Sequence, residues 1–252
     1  MAGTILYLEN VTVDFDGFKA IQNLNSYIEY GELRFLIGPN GAGKTTLLDV
    51  ICGKTKLTEG RVIFDNTEIT RKSEHEIVKM GICRKFQTPS VFNNLTVFEN
   101  LELAVQKHRG VLASLFRNLT AEQAEKINTT LENIGLADQA GVKAGSLSHG
   151  QKQWLEIGMQ LVQDPELLLL DEPVAGMTKK ETEKTGQLLR EIAKNRSVLV
   201  VEHDMEFVRN FAQKITVMHE GKILCEGTVD KVQSDPKVIE VYLGRGRENV
   251  KH

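Results

Sequence analysis

Cysteine is scarce, and the three present, Cys52, Cys83 and Cys225, stand far apart with no Cys-x-x-Cys pair and no metal-ligand spacing. That excludes a disulfide framework and a zinc ribbon, and leaves reduced, buried thiols as the expectation. Neither sign of charge is in excess: 31 basic against 34 acidic residues give a net charge of −3. No overall positive field draws the chain to nucleic acid or to an anionic membrane, so any membrane association has to come through a protein partner. No apolar run approaches bilayer length, the longest strong one being residues 167–170. The first seven residues lack both a basic segment and a long apolar stretch, so no signal peptide is expected and the expected location is cytoplasmic. Internal repeats and low-complexity segments are also missing, and only the charged tail after residue 244 reads as loosely ordered.

What is present is a chain of 252 residues, 41% hydrophobic and 26% charged, enough for a full core in one domain carrying an insertion. Residues 5–8, 11–15 and 21–28 are short runs rich in branched and aromatic side chains, broken by Asp16-Gly17 and Gly31, and read as an antiparallel β layer. Residues 33–37 form a buried-type strand, followed by a glycine-rich turn and a helix over 44–52. Between about 88 and 164 the pattern turns helical, with apolar steps of three and four over 97–105, 121–134 and 150–162. Afterwards strand-like runs at 167–170, 198–201 and 215–218 alternate with helices at 179–193 and 205–211. Such alternation predicts an α/β fold with a mostly parallel sheet and helices on its faces.

Gly38-Pro39-Asn40-Gly41-Ala42-Gly43-Lys44-Thr45 matches the spacing Gly-x-x-x-x-Gly-Lys-Thr between a strand and a helix. Glycines let the backbone wrap a phosphate with its N–H groups, Lys44 reaches the outer phosphates, and Thr45 offers a hydroxyl to Mg²⁺. Thr46 continues the helix start beside it. Asp171-Glu172 closes the apolar run 167–170, where open α/β sheets hold their ligands. Asp171 suits Mg²⁺ and Glu172 suits a general base for the attacking water. Two further strand ends lead into Gln87, a sensor of phosphate, metal or water, and His203, a hydrogen-bond partner for the γ-phosphate. Leu147-Ser148-His149-Gly150-Gln151 opens another helix with Ser148 as N-cap, a second phosphate-ready terminus that suits an ATP held by another copy or partner.

In this order the motifs resemble the ATP-binding subunits of ABC transporters, over nearly the whole chain. The resemblance implies the P-loop nucleoside triphosphatase fold in its ABC form: one domain over 1–244, with a helical subdomain at about 88–164 and a tail at 245–252. In its terms residues 38–45 are the Walker A loop, Gln87 the Q-loop, 147–151 the signature motif, 167–171 Walker B, Glu172 the base and His203 the switch histidine. Phe15 resembles the aromatic that stacks on adenine, with Phe18 close by and a core role as the alternative. The implied cofactors are ATP and Mg²⁺.

The implied partner is a second ABC ATP-binding subunit, identical or a paralogue, in a head-to-tail dimer where Ser148, Gly150 and Gln151 complete the other chain's site. Transmembrane permease subunits would dock between Gln87 and Asn100, holding the chain at the inner face of a bacterial membrane. A periplasmic or extracellular solute-binding protein would act indirectly, and no nucleic acid is implied. Two positions depart from the family: His149 stands where glycine is usual, and Ala175-Gly176-Met177-Thr178 replaces Ser-Ala-Leu-Asp. Both resemble the branch for urea and short-chain amides, related to branched-chain amino acid importers, which is the alternative. Two other classes compete: an ATP-gated interaction module without useful turnover, and a soluble ABC-type ATPase for translation or DNA repair. Intact Glu172 and His203 argue against the first, and the single domain without nucleic-acid contacts argues against the second.

Overall fold

The computed structural model describes residues 3–85, 90–105 and 119–243. Strands β1 (Thr4–Phe15) and β2 (Phe18–Glu29) form a hairpin whose two turn residues, Asp16 and Gly17, both have positive φ. That geometry matches the right-handed twist of the flanking strands. β1 also pairs with β4 (Glu59–Phe64), which pairs with the short β5 (Thr67–Glu68) around Asp65-Asn66, giving the order β2-β1-β4-β5. The runs 5–8 and 11–15, expected as separate segments, are one strand. The polar Glu9-Asn10 between them is absorbed as a bulge, with Asn10 at φ 50° and a register shift between Leu8 and Val11.

The larger sheet contains β3 (Leu33–Ile37), β6 (Ile82–Lys85), β7 (Leu167–Asp171), β8 (Ser197–Val201), β9 (Lys214–His219) and β10 (Lys222–Gly227). Its order is β10-β9-β3-β8-β7-β6, all neighbours parallel except the edge pair β10–β9. Every residue of β3, β7 and β8 is buried, as strands covered on both faces require. Alternate residues feed two cores. Leu33, Phe35, Leu168, Leu170, Val198 and Val200 face one side, while Leu36, Leu167, Leu169, Leu199 and Val201 face the other.

The second of these cores holds α1 (Lys44–Ile51) and the small antiparallel sheet, with α2 (Glu74–Lys79) contributing Ile77. The first holds α3 (Val97–Val105), α4 (Ala121–Asn133), α5 (His149–Leu161), α6 (Lys179–Ala193) and α7 (Met205–Phe211). Two short terminal helices, α8 (Val229–Ser234) and α9 (Pro236–Leu243), finish the described chain. Capping boxes at Ser73, Thr120, Ser148 and Thr178 satisfy donors at four helix starts. Cys83 and Cys225 are buried as expected, whereas Cys52 is only half-buried.

Arg34 joins the two sheets. It is 1% exposed in the middle of β3, with Glu32 against Nε and Glu226 of β10 2.8 Å from Nη1. Nη1 also reaches Ser26 Oγ of β2 and Thr216 Oγ1 of β9, each at 3.3 Å. A guanidinium suits this place because it offers several donors in a fixed plane. Its removal takes the counter-charge from Glu32 and Glu226 and leaves them neutral donors alone, so Arg34→Ala is expected to destabilise the fold by about 3–5 kcal/mol. A urea titration checks this: the midpoint falls while the m-value holds.

Candidate active site

The chain leaves β3 into residues 38–43 with a backbone only glycine tolerates. Gly38, Gly41 and Gly43 have φ of +156°, +79° and +99°. A Cβ on Gly38 would lie 2.2 Å from Met218 O, and one on Gly43 2.6 Å from Ala20 O. Gly38 and Gly43 are thus pressed against backbone on either side, and α1 begins directly after them. No side chain caps α1 and no acidic residue stands in its first turn, so its leading N–H groups point outward for an anion. Pro39, Asn40 and the buried Ala42 complete the loop, with Thr45 exposed and Thr46 half-buried at the helix start.

Lys44 curls back over the loop, donating to Gly38 O at 2.8 Å and Pro39 O at 3.0 Å. Burial pushes its ammonium below the usual lysine range, and the carboxylates of Glu172 and Asp171 oppose that. Lysine and carboxylates therefore share one electrostatic site, although they lie far apart in sequence.

Asp171 ends β7 at 2% exposure. Its Oδ2 is 3.3 Å from Arg84 Nη2, while Oδ1 is buried with no hydrogen-bond partner among the described residues. Burial raises its pKa, with Arg84 pulling the other way. An orphaned buried carboxylate oxygen fits a cation. Among the described residues no group of three His, Cys, Asp or Glu side chains could hold a metal alone. The fit is therefore to Mg²⁺, which takes one or two protein oxygens and keeps water and phosphate for the rest.

Glu172 follows in the left-handed region, φ 47°, with its N–H donated to Val201 O at 2.9 Å. That conformation costs on the order of 1–2 kcal/mol for a residue other than glycine. It turns the side chain out of the sheet to where His203 Nδ1 lies 3.6 Å from Glu172 Oε1. His203 is well exposed, at a strand end beside the one that carries Glu172.

Ser148 is the N-cap of α5: Gln151 N donates to its Oγ at 3.2 Å and its own N–H donates to Gln151 Oε1 at 2.9 Å. Among the described residues none of the hydrogen bonds of Ser148, His149 or Gln151 goes to residues 38–45. Ser148 Oγ instead donates to Glu181 Oε1 at 3.2 Å, and that oxygen lies where a Cβ on Gly150 would fall, 2.5 Å away. His149 Nε2 sits 3.1 Å from Ala175 O. The two sequence departures, His149 and residues 175–178, are thus in contact. Glu181 also accepts from Thr178 Oγ1 at 2.8 Å.

Phe15 and Phe18 face each other across the hairpin end and are 50% and 66% exposed, so neither is a core phenylalanine. Gln87 lies outside the described residues. Sequence reasoning missed three polar residues that brace the site: Arg84, Asp49 and Glu202. Arg84 pairs with Asp49 of α1 as well as Asp171, tying the loop helix to the carboxylate strand. Two adjacent cations, Arg84 and Lys85, inside an otherwise apolar strand were the available signal.

Comparison with known proteins agrees with this geometry. The family model described as ABC transporter matches residues 21–175. A second model, branched-chain amino acid ATP-binding cassette transporter, matches residues 222–248. The high-affinity branched-chain amino acid transport ATP-binding protein LivG of Escherichia coli (strain K12) is 35% identical over 253 residues, covering 97% of this chain and 99% of the relative. A crystal structure of the ADP conformation of an ATP-binding cassette superposes with a TM-score of 0.85 at 37% identity, covering 96% of this chain and 99% of that one. A dimeric cassette in a post-hydrolysis state, bound to ADP and Pi, gives 0.74 at 30% identity over 89% of this chain and 99% of that one. The chain belongs to the ABC transporter family, as an ATPase subunit with the P-loop fold of the ATP-binding cassette.

Proposed function

We propose that this subunit hydrolyses ATP to drive import of a branched-chain amino acid or a closely related small polar solute. The observation that carries the chemistry is the meeting of Glu172 and His203, 3.6 Å apart, at the strand edge that also bears the glycine loop and Asp171. The match of residues 222–248 to the branched-chain amino acid model, and the name of the E. coli relative, support the solute class. A second reading, urea or short amides, rests on the resemblance of His149 and residues 175–178 to that branch, two departures that meet in the structure.

In this reading the backbone N–H groups of residues 40–46, among them Asn40, Gly41 and Ala42, cradle the phosphates, Gly38 and Pro39 shape the turn without a proline N–H to give, and Lys44 leaves its own loop carbonyls for the outer phosphate oxygens. Thr45 and Asp171 would hold Mg²⁺, with Gln87 as a further ligand or sensor, and the ion would supply neutralisation of charge at the phosphate oxygens. Glu172 takes the proton of the attacking water. His203 donates to the γ-phosphate and holds the charge that develops there. Phe15 stacks on the adenine, its exposed ring being free to do so.

Ser148, Gly150 and Gln151 serve the ATP of a second cassette, identical or a paralogue, in a head-to-tail pair. The dimeric relative bound to ADP and Pi supports pairing of this kind. No helix among the described residues is long and apolar enough to cross a membrane. By its kinship with transporter ATPases the cassette works from the cytoplasmic side through permease subunits that dock between residues 87 and 100, with the helical segment at about 88–164 as a subdomain of one domain ending near 244. A solute-binding protein delivers cargo without touching it.

With the transporter assembled, Glu172→Gln should keep ATP affinity and lower kcat by about 10²–10⁴-fold. Turnover at the parental rate would remove Glu172 from the role of base. Lys44→Ala should lose ATP binding itself, seen as failure to shift a fluorescent nucleotide analogue. For the solute, labelled leucine and labelled urea are offered to cells lacking this gene. Loss of leucine uptake alone supports the main reading, and loss of urea uptake alone transfers the assignment to the second.

A further inference from the structure

Glu202 directly follows β8 and is 1% exposed. Among the described residues its hydrogen bonds come from backbone, with His203 Nδ1 4.0 Å from Oε2. Oε1 accepts from Val174 N at 3.3 Å, while Oε2 accepts from His203 N at 3.1 Å and Asp204 N at 3.4 Å. Burial raises its pKa against the pull of those three N–H groups. A carboxylate this desolvated is expensive, and an apolar side chain could fill the same space without that penalty. What the carboxylate alone can do is accept from two separate turns through two oxygens. Val174 belongs to the turn that bears Glu172, and His203 with Asp204 begins the turn that leads into α7. The ladder between β7 and β8 ends at Asp171 opposite Val201, and the bond from Glu172 N to Val201 O is its last backbone link. Beyond that link, among the described residues, the side chain of Glu202 ties the backbones of the two turns, while His203 Nδ1 and Glu172 Oε1 lie 3.6 Å apart at their tips.

We infer that Glu202 is a positioning residue, clamping the Glu172 turn to the His203 turn so that carboxylate and imidazole stay in register for hydrolysis. It acts through its neighbours, and it rests on the reading of Glu172 and His203 as a hydrolytic pair. A glutamine at 202 keeps the shape and one oxygen but turns an NH₂ group toward one set of N–H donors, so one arm of the clamp opens.

The test compares Glu202→Gln, His203→Ala and the double variant in the full chain, assembled with its partner subunits. Glu202→Gln is expected to lower kcat about tenfold while KM for ATP stays within roughly twofold. It should add nothing to His203→Ala, as residues acting as one unit do. Parental kcat in Glu202→Gln, or losses that multiply in the double variant, would overturn the clamp. Parental turnover in His203→Ala would instead defeat the pair reading. The clamp is then judged by amide hydrogen exchange, where Glu202→Gln should speed Val174, His203 and Asp204 and leave β7 unchanged; no acceleration there overturns it. Should the glutamine variant fail to bind ATP, Glu202→Thr carries the same comparison, because its hydroxyl reaches only one turn.

Discussion

Five parallel strands, buried on both faces, must all end at the same edge of the sheet, and the rest of this molecule follows from that constraint. β9, β3, β8, β7 and β6 run the same way, so their C-terminal ends leave the apolar interior together. Polar groups excluded from the core can gather there without crossing it. β3 delivers the glycine loop, β7 delivers Asp171 and Glu172, and β8 delivers Glu202 and His203. Parallel neighbours also require long crossovers, and the helices that supply them bury both faces, which is why β3, β7 and β8 contain no exposed residue.

Local pattern reveals whatever depends on near neighbours. Residues 97–105, 179–193 and 205–211 read as helices from their apolar spacing and occupy those bounds in the structure. The run 167–170 reads as a buried strand because four leucines leave no polar face. The continuity of β1 was hidden because a bulge and a break look alike in sequence: both place polar residues between apolar runs. β4 and β5 escaped because the first opens on Glu59-Gly60-Arg61 and the second is two residues long.

The site divides in the same way. The glycine loop, Asp171 and Glu172 sit on contiguous motifs, so spacing alone marks them. Arg84 and Glu202 do not, because their meaning lies in partners on other elements: Asp49 and Asp171 for the arginine, Val174 for the glutamate. A cation or carboxylate in an apolar strand announces that a partner exists without saying where. The solute is a different matter, since what points to it on this chain is kinship and not geometry.

The bonds around Glu181 carry a consequence for how such cassettes diverge. One carboxylate takes hydrogen bonds from Ser148, the N-cap of α5, and from Thr178, six residues after Glu172. On the head-to-tail reading proposed above, Glu181 would give each polypeptide an internal wire between its own nucleotide and the one it completes. Two paralogues can each retune their own wire without a matching change in the other. On that reading a change at Ser148, Thr178 or Glu181 in one chain would bear on both nucleotides at once.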